Sequence, residues 1–242
     1  MVSVTVWNEG LHERRGEIED VYPDGIDGMI ADALAAHGHE TRTATMDEPE
    51  HGLPEDVLAN TDVLVWWGHL RQDDVDDAVV DRVVDRVHEG MGFVPLHSAL
   101  LSKPFRRLMG TPCSLTWRVD GARERIWPIQ PEHPIAEGVD DHVVLPETET
   151  YGEPLAVPEP DALVFTSWFE GGEVFRSGLC YRRGLGRVFY FRPGHESYPI
   201  YHDETIQRIL ANAVEWAGAN AGTTASVETR NVEIAPEADA EQ

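Results

Sequence analysis

Histidines and other polar side chains directly follow four of the strands that the sequence predicts. They form the runs Asn8-Glu9 with His12, Gly68-His69, His97-Ser98 and Gly194-His195-Glu196. In an open α/β sheet, the carboxyl ends of the strands face the crevice where ligands bind. His69, His97 and His195 are far apart in sequence, yet we expect them to lie within a few ångströms of each other there. This cluster is the main chemical feature of the chain.

Two kinds of chemistry suit such a cluster, and the sequence leaves both open. Three neutral imidazoles can hold a divalent ion, zinc being the first choice, with one position open for water or substrate. In that interpretation His69, His97 and His195 are the metal ligands. Without a metal the site is an acid–base site, and His97, His195 and Glu196 are the catalytic candidates. No two of the histidines in these runs show an HxxxH or HxH spacing that would support the metal, and purely structural histidines are the third alternative.

A serine or cysteine nucleophile is less favoured. Ser98 follows a predicted strand, but its neighbours lack the glycines of a G-x-S-x-G elbow, so a helix N-cap or a hydrogen bond to substrate is the preferred role. Cys113 and Cys180 are interpreted as packing residues. Two cysteines also make neither a disulfide framework nor a four-cysteine metal site.

Aromatic and charged side chains gather in residues 168–176, near residues 151–153. Aromatic faces beside carboxylates and arginine are typical of sugar sites. A polar hairpin explains the same residues equally well, because Glu173 and Arg176 are close enough to pair with each other. The substrate-binding candidates come from this segment and from the strand ends: Asn8, Glu9, His12, Trp67, Ser98, Glu153, Glu170, Arg176 and Tyr198.

The elements that must position these residues alternate between strand and helix in the first part of the chain. Strands are predicted at 2–7, 40–45, 62–67 and 92–96, and helices at 25–37, 53–58 and 76–89. This alternation favours a parallel α/β sheet, although Pro95 is awkward within a strand. Further strands are predicted at 115–119, 143–145, 162–166 and 186–191, before a last helix at 204–216. One domain over residues 1–218 is expected, and residues 219–242 are expected to be a disordered acidic tail.

The charge of the chain excludes some functions. It carries 19 basic and 44 acidic residues, a formal charge of −25, and only Lys103 is a lysine. Nucleic acid is not expected as a partner, because a phosphate footprint needs a basic face. We interpret the acidic, lysine-poor surface as halophilic, since at about 1 M salt the screening length is only about 3 Å. Without an apolar run of 18 residues or a signal-peptide pattern, the sequence predicts a cytoplasmic protein with no membrane partner.

Several runs resemble the trehalose-utilization (ThuA-like) family over about residues 2–217. They are Val6-Trp-Asn-Glu9 with His12-Glu13, Val65-Trp-Trp-Gly-His69, Leu96-His-Ser98 followed by Ser102-Lys-Pro-Phe, Ser167-Trp-Phe-Glu-Gly-Gly-Glu-Val-Phe-Arg-Ser-Gly178 and Phe189-Tyr-Phe-Arg-Pro-Gly-His-Glu196. The resemblance implies a fold similar to class I glutamine amidotransferases. That fold is a flavodoxin-like three-layer α/β sandwich with a mostly parallel central sheet.

The resemblance also limits the function. In the amidotransferases a cysteine occupies the elbow after a central strand, whereas here His97 takes that position and His195-Glu196 take those of the cysteine's partners. Glutaminase activity is not expected, because imidazole does not replace the thiolate nucleophile. The family is linked to trehalose and related sugars, with 3-ketosugars as intermediates. No G-x-G-x-x-G run is present, so no NAD or other nucleotide cofactor is expected.

Two functions follow from the resemblance and the histidine cluster. The first is an enzyme, metal-assisted or not, that isomerises, epimerises or eliminates within a sugar or ketosugar. The second is a sugar-binding or regulatory protein without turnover. The expected partners are a small-molecule sugar and, because the family's fold commonly associates through exposed helices, further copies of the chain.

Overall fold

A nine-stranded mixed sheet runs through the computed structural model, which describes residues 1–15 and 18–222. The strands are β1 (Ser3–Asn8), β2 (Glu40–Thr45), β3 (Val63–Trp67), β4 (Gly92–Leu96), β5 (Thr116–Pro128), β6 (Val143–Gly152), β7 (Ala162–Phe169), β8 (Val174–Arg183) and β9 (Gly186–Phe191). The helices are α1 (Leu11–Arg14), α2 (Gly25–Ala36), α3 (Glu55–Ala59), α4 (Asp77–Glu89), α5 (Lys103–Met109) and α6 (Glu204–Gly218).

The sheet has a parallel half and an antiparallel half. Its strand order is β2-β1-β3-β4-β9-β8-β7-β5-β6. The first five strands in this order pair parallel, and every later pairing is antiparallel. The fold is therefore mixed α/β, and the expected mostly parallel sheet of a flavodoxin-like sandwich is not confirmed. Hairpins are the reason, because a tight turn such as Gly184-Leu185 can only join antiparallel strands.

The parallel half was predictable because its strands are buried on both faces. All five residues of β3, VLVWW, are buried, as expected for a parallel strand covered by helices. One core layer contains residues of α2 and α6, and the other contains residues of α4 and α5. Pro95 lies inside β4 opposite Trp66 of β3, so the strand prediction there is correct despite the proline.

The antiparallel half is longer and more bent than the sequence indicates. The register of β5 against β6 shifts between Arg118 and Ala122 and again between Ala122 and Glu124, and bulges of this kind bend a strand and increase its twist. As a result β6, four strands from β9 in the sheet order, curls back so that the carbonyl of Glu149 meets the side chain of Arg192. The sequence missed β8, α5 and most of the length of β5 and β6.

The predicted tail begins at residue 219. Residues 219–222 follow α6 in a turn in which the Asn220 side chain donates to the carbonyl of Leu185 (2.9 Å), and the rest of the tail lies outside the described residues. Within 1–15 and 18–222, no helix combines the length and the apolar character needed to cross a bilayer.

Candidate functional site

Three imidazole rings meet where the parallel strands end. The ring centroids of His69 and His97 are 5.5 Å apart, those of His69 and His195 are 5.2 Å apart, and those of His97 and His195 are 5.6 Å apart. His12 joins them at 5.7 Å from His69. The structure thus brings together the histidines that the sequence places after β3, after β4 and after β9, together with one that follows β1.

His97 occupies the turn that leaves β4, with a left-handed backbone (φ 53°). A non-glycine residue held there costs about 1–3 kcal/mol, and such strain is often found at functional sites. The ring is fully buried and stacks on Tyr151 (centroids 5.1 Å apart). Its Nδ1 donates to the carbonyl of Arg192 (3.1 Å), because a carbonyl oxygen only accepts. In the neutral ring the lone pair is therefore on Nε2.

Glu149 of β6, which no sequence pattern marks as a site residue, faces that nitrogen. Its Oε2 lies 3.0 Å from His97 Nε2. The residue is 2% exposed, and apart from this contact with the His97 ring its Oε2 has no hydrogen-bond partner among the described residues. Burial opposes ionisation, but the neighbouring His97 outweighs burial and lowers the pKa of Glu149. A buried carboxylate held ionised with so little hydrogen bonding is costly, so this position is suited to a cation or to a polar group of a bound molecule.

Glu196 organises the opposite side of the cluster. Its Oε2 accepts from His69 Nδ1 (2.8 Å), and its Oε1 lies 3.6 Å from His12 Nε2. Burial raises the pKa of this carboxyl, but the hydrogen bond from His69 and the nearby imidazoles outweigh burial and lower it to about 2. Glu196, predicted as catalytic, is thus a permanent carboxylate that orients His69 and leaves the lone pair of the neutral His69 ring on Nε2.

His195 is neutral near pH 7. Burial and the neighbouring His97 ring lower its pKa to about 4. Its Nδ1 accepts from the backbone N–H of Ser197 (3.2 Å), which places the proton of the neutral ring on Nε2. Tyr198, a predicted substrate-binding residue, lies half-buried against this ring (centroids 5.4 Å apart).

A small cavity opens beside the cluster. Its volume is about 230 Å³, less than the roughly 300–1,000 Å³ typical of pockets for drug-sized ligands. The mouth has an unusual apolar surface, because Trp117 is 67% exposed and Leu70 56% exposed. The lining residues are His69, Leu70, Ser98, Leu101, Leu115, Trp117, Glu149 and Tyr151.

Two predicted substrate-binding residues after β1 serve the local structure instead. The Asn8 amide donates to Glu13 (2.6 Å) and Asp27 (2.9 Å). Glu9 accepts from the two backbone N–H groups that follow His69, at 2.8 to 3.1 Å. Both are buried, and Glu9 holds the loop that carries His69.

Trp67 and Ser98 are also engaged within the protein. Trp67 is fully buried, and its indole N–H donates to the carbonyl of Gly194 (2.9 Å). Ser98 lines the cavity, but its hydroxyl donates to the carbonyl of Gly68 (2.8 Å). A serine whose proton is directed at a carbonyl rather than at a histidine is not arranged as a nucleophile.

The other predicted sugar-binding residues form ion pairs within the protein. Arg176 makes a two-pronged contact with Glu153 (2.8 and 3.0 Å). Glu170 pairs with Arg123 (3.3 Å), and Glu173 pairs with Arg118 rather than with Arg176. These contacts agree with the polar-hairpin alternative.

Both cysteines are buried, as expected of packing residues. Burial raises the pKa of the Cys113 and Cys180 thiols. A buried thiol with a raised pKa has little thiolate at neutral pH and is a poor nucleophile.

A family model identifies the family of the chain, and solved structures share its fold. The model of the ThuA family, described as trehalose utilisation, matches residues 3–217. Among curated proteins no sequence matches this chain. Two similar solved structures are ThuA-like proteins. The one from Parabacteroides merdae is 14% identical, with a TM-score of 0.65, and the match covers 93% of this chain and 92% of that chain. The one from Bacteroides uniformis is also 14% identical, with a TM-score of 0.64, and the match covers 91% of this chain and 93% of that chain. A β-galactosidase from Rahnella sp. R3 is also similar, with 14% identity and a TM-score of 0.59, and the match covers 89% of this chain but only 31% of that chain. At these identities the structural likeness shows the fold alone.

Proposed function

Because the chain belongs to the ThuA family of trehalose utilisation, we propose that it is a carbohydrate-metabolism enzyme that moves a proton beside the carbonyl of a sugar or 3-ketosugar. Family membership supports the carbohydrate role. The single observation that carries the reaction is Glu149, a buried carboxylate that lines the cavity and whose Oε2 has no hydrogen-bond partner among the described residues apart from its contact with the His97 ring. An anion placed in this way is ready to accept a proton from a bound molecule.

In the proposed step, Glu149 removes a proton from the carbon next to the carbonyl. The C–H bond breaks, an O–H bond forms on Glu149, and the electron pair moves onto the carbonyl oxygen to give an enediolate. Tyr151 lines the same cavity, and its hydroxyl is the donor available to that oxygen. Return of the proton to the former carbonyl carbon, with the proton of the α-hydroxyl passing to the former carbonyl oxygen, gives an isomer. Return of the proton by Glu149 to the original carbon regenerates the substrate, and protonation of that carbon on its opposite face by solvent gives an epimer. Loss of a β-leaving group gives elimination instead.

His97 supports this step from behind the carboxylate. It is fully buried, so it influences the substrate only through Glu149. Burial lowers the pKa of His97, whereas Glu149 beside it favours the imidazolium. The two groups therefore compete for a proton, and such a coupled pair titrates as a unit.

The residues also fit a divalent metal. One ring nitrogen of His69, one of His195 and one oxygen of Glu149 lie within 4.8 Å of one another. His195 would bind the metal by giving up the hydrogen bond that its Nδ1 accepts from Ser197. Two imidazoles and a carboxylate are a common donor set for catalytic zinc, and the bond from His69 to Glu196 is the outer support that ligating histidines usually have. Glu149 thus replaces His97 in the predicted set of ligands. A bound ion would polarise the sugar carbonyl.

Sugar binding without turnover is the second candidate, and the exposed Trp117 at the cavity mouth favours it. An accessible indole offers a stacking surface to the apolar face of a sugar ring. Recognition alone would use this surface as readily as catalysis would.

Hydrogen exchange in heavy water tests the proposed reaction. A 3-ketosugar incubated with the protein in D₂O is expected to lose the proton signal of the carbon beside the carbonyl. Glu149→Gln should abolish this exchange, and Glu170→Gln, an exposed glutamate paired with Arg123, should leave it unchanged. Saturable binding of the same sugar with no hydrogen exchange and no product would contradict the proposed reaction and favour a sugar-binding protein.

Metal content per chain decides the role of Glu149. The measurement uses untagged protein prepared without chelator, because an affinity tag adds histidines. Near-stoichiometric zinc that is lost in His69→Ala and His195→Ala would make Glu149 a ligand. A metal-free protein that is active and not stabilised by added zinc would leave Glu149 as the base.

A further inference from the structure

We infer that the buried Arg192 is the positioning residue of the site, because its carbonyl holds His97 while its guanidinium holds Glu149. This inference rests on the proposed function only for its effect on turnover. Arg192 directly follows β9 and is 0% exposed, an unusual position for an arginine.

The two contacts come from opposite ends of the same residue. The carbonyl of Arg192 accepts from His97 Nδ1 (3.1 Å). Its Nη1 donates to the carbonyl of Glu149 (2.8 Å) and to the hydroxyl of Thr148 (3.2 Å). His97 follows β4 and Glu149 lies on β6, so the two belong to different halves of the sheet. Arg192 therefore fixes the ring of His97 relative to the backbone of Glu149 across the curl.

Glu124 in turn fixes the guanidinium. This β5 carboxylate is also 0% exposed and pairs with Arg192 Nη2. It accepts a hydrogen bond from Ser167 of β7, which accepts one from Ser177 of β8 (2.7 Å). The Arg192 N–H donates to the carbonyl of Ser177 (2.9 Å). The network therefore ties Arg192 to every strand of the antiparallel half.

Stability alone does not account for this pair. Replacing a buried ion pair by apolar residues of similar size is often neutral or stabilising. The guanidinium also lies over the rings of Tyr151 (5.9 Å) and Phe169 (5.2 Å), and Tyr151 lines the cavity. Arg192 thus contacts His97, Glu149 and Tyr151, which belong to the site, and this is the arrangement expected of a positioning device.

The test compares Arg192→Lys with Arg183→Lys. Arg183 is a matched control, since its guanidinium also donates to a carbonyl, that of Leu108 (2.7 Å), away from the cavity. Lysine keeps the charge of Arg192 but cannot reach Glu124, Thr148 and Glu149 together. Arg192→Lys should lower kcat about tenfold or more while KM stays within about twofold, and Arg183→Lys should change neither.

A spectroscopic readout separates this inference from the proposed reaction. In protein labelled at glutamate carboxyls, the ¹³C signal of Glu149 should move in Arg192→Lys and stay in place in Arg183→Lys, whether or not a substrate is turned over. If Arg192→Lys does not fold, the double variant Arg192→Met with Glu124→Met removes both buried charges and should show the same signal change. A folded variant with an unmoved Glu149 signal and wild-type kcat would overturn the inference.

Discussion

The two halves of the sheet contribute to the site in different ways. The parallel half supplies imidazoles from loops that begin where strands end, at His69, His97 and His195. The antiparallel half supplies Glu149, Tyr151 and Trp117 from within strands, and it brings them to the site by curling. A site built in this way has its histidines fixed by topology and its carboxylate fixed by register and bulges.

This difference has a consequence for the chemistry. Topology places the histidines wherever the parallel sheet forms, but Glu149 is in place only if β5, β6 and β7 keep their register shifts. A one-residue slip in a strand turns its side chains to the opposite face. The antiparallel half therefore decides whether the histidine cluster has a partner.

The largest expected effect is on turnover, and measuring it tests whether both halves of the sheet take part in the reaction. Glu149→Gln should lower kcat at least about 100-fold, the usual contribution of a positioned proton-transfer group, and His195→Gln, which removes a predicted catalytic residue and a proposed metal ligand, should lower it by a similar factor. Glu147→Gln, two residues earlier on β6 and exposed, is the control. Retained turnover in Glu149→Gln with loss in His195→Gln would assign the chemistry to the parallel half alone.

A second effect concerns acid stability and belongs to the parallel half. The pKa of His195 is lowered from 6.5 to about 4 in the folded protein. Below pH 6.5 the unfolded chain takes up this proton while the folded protein does not, so acid favours unfolding. Between pH 7 and pH 4 the free energy of unfolding should fall by about 3 kcal/mol from this group.

Urea unfolding of chelator-treated protein at both pH values measures this loss. In His195→Gln, which has no proton to take up, the loss should be smaller by that amount. An equal loss in variant and wild type would mean that His195 titrates normally when folded.

The third effect is the difference in stability between a glycine variant and an alanine variant, and it should have opposite signs in the two halves of the sheet. At His97 the backbone is left-handed (φ 53°), so His97→Gly should be more stable than His97→Ala by about 1 kcal/mol. Glu149 lies inside a strand, where Glu149→Gly should be less stable than Glu149→Ala by about 0.5–1 kcal/mol. Chemical denaturation of the four variants measures both differences, and the same sign at both positions would contradict the contrast.

The smallest expected effect is on substrate affinity at the cavity mouth. Trp117→Ala should raise KM about fivefold, from the loss of about 1 kcal/mol of stacking. Trp127 on the same strand is 42% exposed and stacks on His142 (4.6 Å) instead. Trp127→Ala should therefore leave KM unchanged, and an equal effect of both variants would show that the loss is not local to the cavity.

The parallel half could be predicted from the sequence because its signals are local. Runs such as Val63–Trp67 are continuously apolar, and the helix α4 shows its buried valines, Val79, Val80, Val83 and Val87, at helical spacing. The polar residue that follows each of these strands is then a candidate site residue, as His69, His97 and His195 are. The histidine cluster followed from this pattern without knowledge of any contact.

Glu149 could not be found in the same way. It stands in the run Glu147-Thr-Glu-Thr150, whose composition suggests an exposed strand, yet residues 148–150 are buried. Their burial depends on the curl of the sheet and on Arg192, which is 43 residues away. Trp67 was misleading for the opposite reason, since a tryptophan beside a site histidine suggests a binding surface but here is fully buried.

The order of strands also bears on how the protein is made. β4 takes its outer partner from β9, and the segments between them form the antiparallel half. A ribosome must therefore complete β5 to β8 before β9 can pair with the free edge of β4. During that interval the nascent chain exposes an unpaired, fully apolar strand, which is the kind of surface that chaperones bind and that drives aggregation. Protein truncated before β9 should be insoluble as well as inactive, because it lacks both β9, the partner of β4, and His195, which follows β9.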